Sequence, residues 1–264
     1  MAADDYNTLA SVYDWIVPEE MLTPEGSATA FLPYLEDLEP GARVLDCAAG
    51  TGPLAVGLAQ RGFDVTATDA SAGMVERTRA LAEREGVDVT ARECRWEDLE
   101  AQGFEPVDAV LCVGNSLAHA PGRDARRTAL RAMAATMKPG AALVLTSRNF
   151  ELMRATDPGL QVFDHAVERD GRRGVVIYSW WLAEEWESEH AFDVYVALVG
   201  DDGDVTTLGE RLTFWPYSYA TLREDLEAAG LRPETTTFES DVDRYVIAAR
   251  KAEPATAAPK RRVA

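Results

Sequence analysis

Val44-Leu45-Asp46-Cys47-Ala48-Ala49-Gly50-Thr51-Gly52 carries more architectural information than any other nine residues of this chain. It reads as a buried strand, an acidic residue at the strand's end, and a glycine turn that opens a helix. Glycine reaches left-handed backbone angles and leaves room for a ligand that a Cβ would fill. Such a turn marks the seat of a nucleotide-like cofactor. Further on, a second strand, Asp64-Val65-Thr66-Ala67-Thr68, ends in another acid, Asp69. Gly50-x-Gly52-x-x-Ala55, with Asp69 about twenty residues on, also matches the dinucleotide fingerprint, so spacing alone leaves a nicotinamide enzyme open. Asp46 weighs against that reading. A carboxylate directly before the loop would repel a pyrophosphate, whereas a cationic ligand would be drawn to it.

Outward from this stretch, strand and helix patterns alternate. Strands are predicted at 43–47, 64–68, 87–92, 107–113 and 141–147, with helices at 53–61, 72–85 and 124–137 between them. Lys138-Pro139-Gly140 is expected to be a turn before the last of these strands. Alternation of this kind implies parallel pairing through right-handed crossovers. Residues 5–38 read as helical pieces limited by Pro18, Pro24 and Pro33. After about residue 150 the pattern turns β-rich, at 174–183, 191–199 and 206–215, with turns such as Gly200-Asp201-Asp202-Gly203. That predicts an antiparallel excursion. A helix at 218–229, closed by Gly230, and a strand at 243–250 return to the main sheet. The expected organisation is one domain over 1–250: a helical lid (1–40), a cofactor-binding core (41–150), a β-rich insertion (about 151–216) and a closing helix and strand (217–250). A disordered tail is expected at 251–264.

Composition narrows the partners. With 26 Lys and Arg against 45 Asp and Glu, the chain has a formal charge of −19. Gripping a phosphate backbone needs clustered basic residues, so nucleic acid and anionic membrane are poor partners. Cys47, Cys94 and Cys112 show no CxxC spacing, which argues against structural zinc and a disulfide framework. No metal is expected, and buried reduced thiols suit the cytoplasm. The N-terminus lacks the apolar core of a signal peptide, and no apolar run is long enough to span a bilayer.

Taken together, Asp46-x-Ala48-x-Gly50-x-Gly52, Asp69-x-Ser71-x-x-Met74 and Lys138-Pro139-Gly140 resemble the class I S-adenosylmethionine-dependent methyltransferases. The resemblance implies a Rossmann-like, doubly wound α/β fold with a seven-stranded, mostly parallel sheet, and an antiparallel insertion covering the active site. It implies S-adenosylmethionine as cofactor. The glycine loop would contact the cofactor's amino-acid end, and Asp69 would take both ribose hydroxyls. Ala70 and Met74 would cover an adenine face, with Arg95 and Trp96 as candidates at its edge. Met74 and Trp96 are equally suited to ordinary packing.

The segment after the fourth strand, Val113-Gly114-Asn115-Ser116-Leu117-Ala118-His119, lacks the Asn/Asp-Pro-Pro-aromatic motif of DNA amino-methyltransferases. Gly114-Asn115-Ser116-x-Ala118-His119, Ser147-Arg148-Asn149-Phe150 and Phe214-Trp215-Pro216-Tyr217 resemble the glycine and glycine/sarcosine N-methyltransferases instead. The implied acceptor is a small amino acid. Its carboxylate would be clamped by Arg148, since arginine forks match carboxylates bidentately. Asn115 would bond the amine with Gly114 beside it, and Val113, Ser116 and His119 would border the cofactor. His119 reads as a hydrogen-bonding element, not a base; His165 and His190 read as structural. Tyr6, Tyr13 and Tyr178 are lid candidates whose rings would suit a sulfonium. The Trp180, Trp181, Trp186 group reads as packing of the inserted sheet, and Glu184, Glu185, Glu187 and Glu189 as a solvated edge.

The chain departs from that family in four places. No arginine precedes Arg43 to pair with the cofactor's carboxylate. Ala49 stands where relatives carry Cys, Ser147 where they carry His, and Phe150 where they carry Tyr. These changes leave room for two further readings: an O- or C-methyltransferase of natural products on the same scaffold, and a cofactor-binding protein without catalysis. A homo-oligomer is compatible with all of them.

Overall fold

The computed structural model describes residues 13–253 apart from Asp170 and Asp201. Tyr6 and most of the expected tail lie outside the described residues. Among those described, seven strands form one sheet: β1 (Arg43–Asp46), β2 (Asp64–Asp69), β3 (Val89–Glu93), β4 (Val107–Cys112), β5 (Met137–Arg148), β11 (Leu231–Thr236) and β12 (Arg244–Lys251). Their order is β11-β12-β5-β4-β1-β2-β3. The five strands from β3 to β5 run parallel, and β12 and β11 join antiparallel. A second, antiparallel sheet holds β6 (Leu160–Val162), β7 (Val167–Arg169), β8 (Arg172–Trp181), β9 (His190–Val199) and β10 (Val205–Phe214). No described helix is long and apolar enough to cross a membrane.

Helices cover the main sheet: α1 (Glu19–Leu22), α2 (Pro24–Phe31), α3 (Pro53–Gln60), α4 (Ala72–Glu85), α5 (Gly122–Thr136), α6 (Phe150–Thr156) and α7 (Tyr219–Ala228). Several begin on a side-chain cap. The Thr23, Ser71 and Ser218 hydroxyls accept from the N–H of Gly26, Met74 and Thr221 respectively. Each such cap contributes about 1 kcal/mol. Alternation along the strands divides the core between the two faces of the sheet. Val44, Val65, Leu111 and Val144 pack with Phe31, Leu54 and Leu58 on one face. Leu45, Leu143 and Leu145 pack on the other with Val176, Val194 and Phe214 of the second sheet. The second sheet therefore roofs the first through a shared apolar layer.

Charge anchors the roof as well. Arg126 on α5 is wholly buried, with its guanidinium bonded to Glu187 through both terminal nitrogens (2.7 and 2.9 Å) and to Asp225 on α7 (2.9 Å). It also lies 4.5 Å from the centroid of the Tyr217 ring. Glu187, in the β8–β9 turn, is thus half-buried and paired rather than part of a solvated edge.

Besides the short strands β6 and β7, four features depart from the pattern the residues predict. Lys138-Pro139-Gly140 lies inside β5, which begins at Met137 directly after α5 and absorbs the proline where the β4–β5 register shifts. Helix α6 starts immediately after β5, capped by the Asn149 side chain, which accepts from Leu152 N–H at 3.0 Å. Strand β11 forms despite Pro233, because it is an edge strand with a register shift between Pro233 and Thr235. Lys251 closes β12 and so belongs to the sheet rather than to a tail.

Candidate active site

A cavity of about 840 Å3 opens at the carboxyl ends of β1, β2, β4 and β5, beneath the roof. Open α/β sheets bind ligands at this end. Its floor is the glycine loop. Asp69, ending β2, accepts from Gly50 N–H on one carboxylate oxygen and from Ser71 N–H on the other, both at 2.9 Å. Two backbone donors thus fix the carboxylate plane, while each oxygen retains acceptor capacity for a vicinal diol. Burial raises its pKa.

Asp46, ending β1, is buried, and its Oδ1 accepts a long 3.4 Å bond from Ala48 N–H. Its Oδ2 has no hydrogen-bond partner among the described residues. Burial, with a smaller push from the Asp69 charge, lifts its pKa to about 7. A buried carboxylate without a counter-charge is costly, and a cation placed beside it removes that cost. The donor set therefore fits a cofactor that is positively charged at one end and carries a ribose diol.

Among the predicted floor residues, Ala48, Gly50, Ala70, Met74, Arg95 and Trp96 line the cavity. Trp96 is both wall and latch, since its indole N–H donates to the Cys47 carbonyl at 2.7 Å. Gly52 does not line the cavity. Its φ of +93° and the 2.8–2.9 Å that a Cβ would have to Thr78 make it a helix-packing position between α3 and α4. Tyr13 reaches over the loop, 3.9 Å from where a Cβ on Gly50 or Gly114 would stand.

The β4 and β5 ends are tied together. Gly114 N–H donates to Thr146 Oγ1 at 2.7 Å, and the Ser116 hydroxyl to the Val113 carbonyl at 2.7 Å. Asn115 sits at φ +68°, with its side-chain oxygen accepting from Arg148 N–H at 2.9 Å. Part of its acceptor capacity is thus spent on the scaffold, while its NH2 group is a donor only. His119 Nδ1 stands 2.6 Å from the Thr213 carbonyl. A carbonyl only accepts, so the proton is assigned to Nδ1 and the ring bridges floor to roof.

Arg148, ending β5, also lines the cavity, with its side chain 15% exposed. Its guanidinium stacks over the Trp180 ring, 4.9 Å from the centroid. Tyr178 and Trp180, two apart on β8, share the roof's inner face with Phe192. Trp180 thus belongs to the cavity wall as well as to the inserted sheet's packing. Trp181 points outward, 59% exposed, with its indole N–H on Asp193. His190 is buried beneath the roof and His165 is exposed beside Asp164; neither lines the cavity. Thr146 and Arg244 also line the cavity, though no signal in the sequence marks them. Only tertiary placement on β5 and β12 sets them apart from ordinary strand residues. The three cysteines are free and buried, and no described cluster of His, Cys, Asp or Glu is arranged for a metal.

Two acids ending adjacent parallel strands, a glycine loop between them, and an antiparallel pair closing a seven-stranded sheet define a class I S-adenosylmethionine-dependent methyltransferase. The chain belongs to that family, and S-adenosylmethionine is its cofactor. Residues 44–140 match the family described as a methyltransferase domain. Over 208 residues, 71% of this chain and 68% of the relative, it is 30% identical to glycine N-methyltransferase of Oryctolagus cuniculus. Over 113 residues, 42% of this chain and 46% of the relative, it is 40% identical to the ubiquinone biosynthesis O-methyltransferase of Xanthomonas axonopodis pv. citri (strain 306). Among solved structures, the CcbJ methyltransferase of Streptomyces caelestis shares the fold at a TM-score of 0.73 and 20% identity, over 96% of this chain and 99% of that one.

Proposed function

We propose that the protein transfers a methyl group to the amine nitrogen of a small carboxylated amine, with glycine, sarcosine and similar amino acids as acceptors. The observation that carries this reading is Arg148. A guanidinium only 15% exposed lies in the cavity wall, and its one ion-pair partner among the described residues is the surface carboxylate of Asp243 at 3.4 Å. Burying a cation with so little compensation is unfavourable, and an acceptor carboxylate supplies what is missing. The likeness to a glycine N-methyltransferase extends past the cofactor half into the roof and supports the same class.

S-adenosylmethionine supplies an electrophilic methyl group whose departure leaves a neutral thioether. In this reading Asp46 faces the cofactor's cationic end and Asp69 takes its ribose hydroxyls. Ala48 and Gly50 border its amino-acid end, Ala70 and Met74 an adenine face, and Arg95 and Trp96 the adenine edge. Val113, Ser116, His119 and Tyr13 close around it. Gly114, Asn115, Arg148 and Tyr178 orient the acceptor. An ammonium has no lone pair, so the amine reacts in its neutral form. Orientation of that lone pair opposite the leaving sulfur supplies roughly 7–11 kcal/mol, without a dedicated base. His119, held to Thr213 by its Nδ1, positions neighbouring groups.

Purified protein, labelled S-adenosylmethionine and a panel of glycine, sarcosine, phenols and sugars test the proposal. Methylated glycine or sarcosine is expected; product from hydroxylated acceptors alone would defeat it. Arg148→Ala should raise the acceptor KM by at least about 30-fold, corresponding to the roughly 2–5 kcal/mol of a truncated buried charge contact, with cofactor affinity within about twofold. A variant with weakened cofactor binding and an unchanged acceptor KM would place Arg148 on the cofactor's carboxylate instead.

A further inference from the structure

Beside Arg148 stands a second guanidinium. Arg244 opens β12 and is the direct antiparallel partner of Arg148 on β5. Directly opposed residues share a face of the sheet, and like charges placed so repel each other. Both arginines line the cavity. Between them stands one carboxylate, Asp243, whose Oδ2 is 3.4 Å from Arg148 Nη1 and 3.8 Å from Arg244 Nε. It is the only acidic ion-pair partner of either arginine among the described residues, both contacts are long, and its side chain is 65% exposed. The group thus carries two positive charges and one negative, in a chain whose formal charge is −19. Burial, and after it the neighbouring Arg244 charge, pull the Arg148 pKa down to about 10.

We infer that Arg148 and Arg244 form a two-arginine seat for the acceptor's carboxylate, with Asp243 as an internal carboxylate that holds the seat and competes for it. This deepens, and rests on, the reading of the acceptor as a carboxylated amine. Arg148 is the fixed half. Its backbone is bonded to Asn115 and its guanidinium lies over Trp180. Arg244 is the adjustable half, with a side chain 53% exposed and a 3.8 Å contact as its ion pair. A single incoming carboxylate brings the group to neutrality, and two forks can address its two oxygens. Arg244 and Asp243 are therefore specificity-determining residues. They favour acceptors with one free carboxylate over the corresponding esters and amides and over aminosugars, whose amines bring no anion.

The test uses acetate as the probe, titrated into protein loaded with S-adenosylhomocysteine and followed by NMR of the tryptophan indole N–H groups. Asp243 and Arg244 both have exposed side chains, and Asp243→Asn preserves the backbone carbonyl that accepts from Asn149 N–H. Arg244→Gln should weaken acetate by more than twofold and Asp243→Asn should tighten it by more than twofold, with the affinity for S-adenosylhomocysteine unchanged. A merely structural pair would not move the two variants in opposite directions. Any other pattern overturns the seat. Parallel assays with glycine and sarcosine keep the two readings apart. Turnover without the opposed acetate shifts leaves the methyl-acceptor reading standing and removes the seat. Opposed shifts without turnover leave a two-arginine carboxylate site standing and remove glycine and sarcosine as its occupants.

Discussion

On the floor of the cavity the Asp69 carboxylate is held by backbone; under the roof the Arg148 and Arg244 guanidinium groups are held by side chains. Asp69 is fixed by the N–H groups of Gly50 and Ser71, which the glycine loop and the α4 cap place without any rotamer to choose. Arg148 and Arg244 lean on the exposed Asp243 and the Trp180 ring, and the roof's far turn is held by Glu187 on Arg126. Backbone anchors cost little further conformational entropy once the strands and helices have formed, while long side chains must be ordered one at a time. The floor is therefore suited to one invariant ligand and the roof to an acceptor that differs between relatives.

Severing the roof anchor should have the largest effect. Arg126→Leu leaves Glu187 unpaired and removes one of three arginines from Asp225, which keeps Arg123 and Arg127. A loss of about 3 kcal/mol, the low end for breaking a buried pair, is expected in urea unfolding. Under native conditions the acceptor KM should rise while cofactor affinity stays within about twofold. An equal loss of both would break the floor–roof distinction.

Asp69→Asn acts on the other side of the comparison. Charged hydrogen bonds contribute about 1.5–3 kcal/mol, so cofactor affinity should fall about 10- to 100-fold by calorimetry, with the acceptor KM little changed at saturating cofactor. A variant that binds the cofactor as tightly as the parent would remove Asp69 from the ribose.

Acidity gives a smaller and finer effect. Asp46 titrates at about 7 in the folded protein, above its ordinary value of 3.8. Its folded form therefore holds a proton that the unfolded chain has lost. The cofactor-free protein loses this group's contribution as pH rises from about 4 to 7. Binding of a cation to the carboxylate runs the opposite way: affinity for S-adenosylmethionine should climb between pH 5.5 and 7, by at most about tenfold per unit. Asp46→Asn should flatten that slope. A slope that survives the substitution would assign the proton elsewhere.

The same contrast explains what could be read from the residues. The floor was legible because its signals are local: strand period, terminal acid and glycine turn fall within a few residues of one another. The seven-strand arrangement followed from alternation together with the family resemblance. Under the roof, the meaningful pairs are far apart in the chain. Arg148, ending β5, meets Asp243 just before β12, and Arg126 meets Glu187 across two elements that no periodicity links. Trp180 was indistinguishable from Trp181 until the register of β8 turned one inward and the other to solvent. Gly52 matched a cofactor motif, yet Thr78 leaves it no room for a side chain and makes it a packing residue.

Among the described residues the two sheets share no ladder; an apolar layer, a few hydrogen bonds such as His119 to Thr213, and the Arg126 staple join them. Mutational drift along β8, β9 and β10 therefore leaves every strand pairing of the nucleoside-holding half intact. A lineage built this way can reshape the cavity wall around the acceptor, through Tyr178 and Trp180, while inheriting its methyl source unchanged.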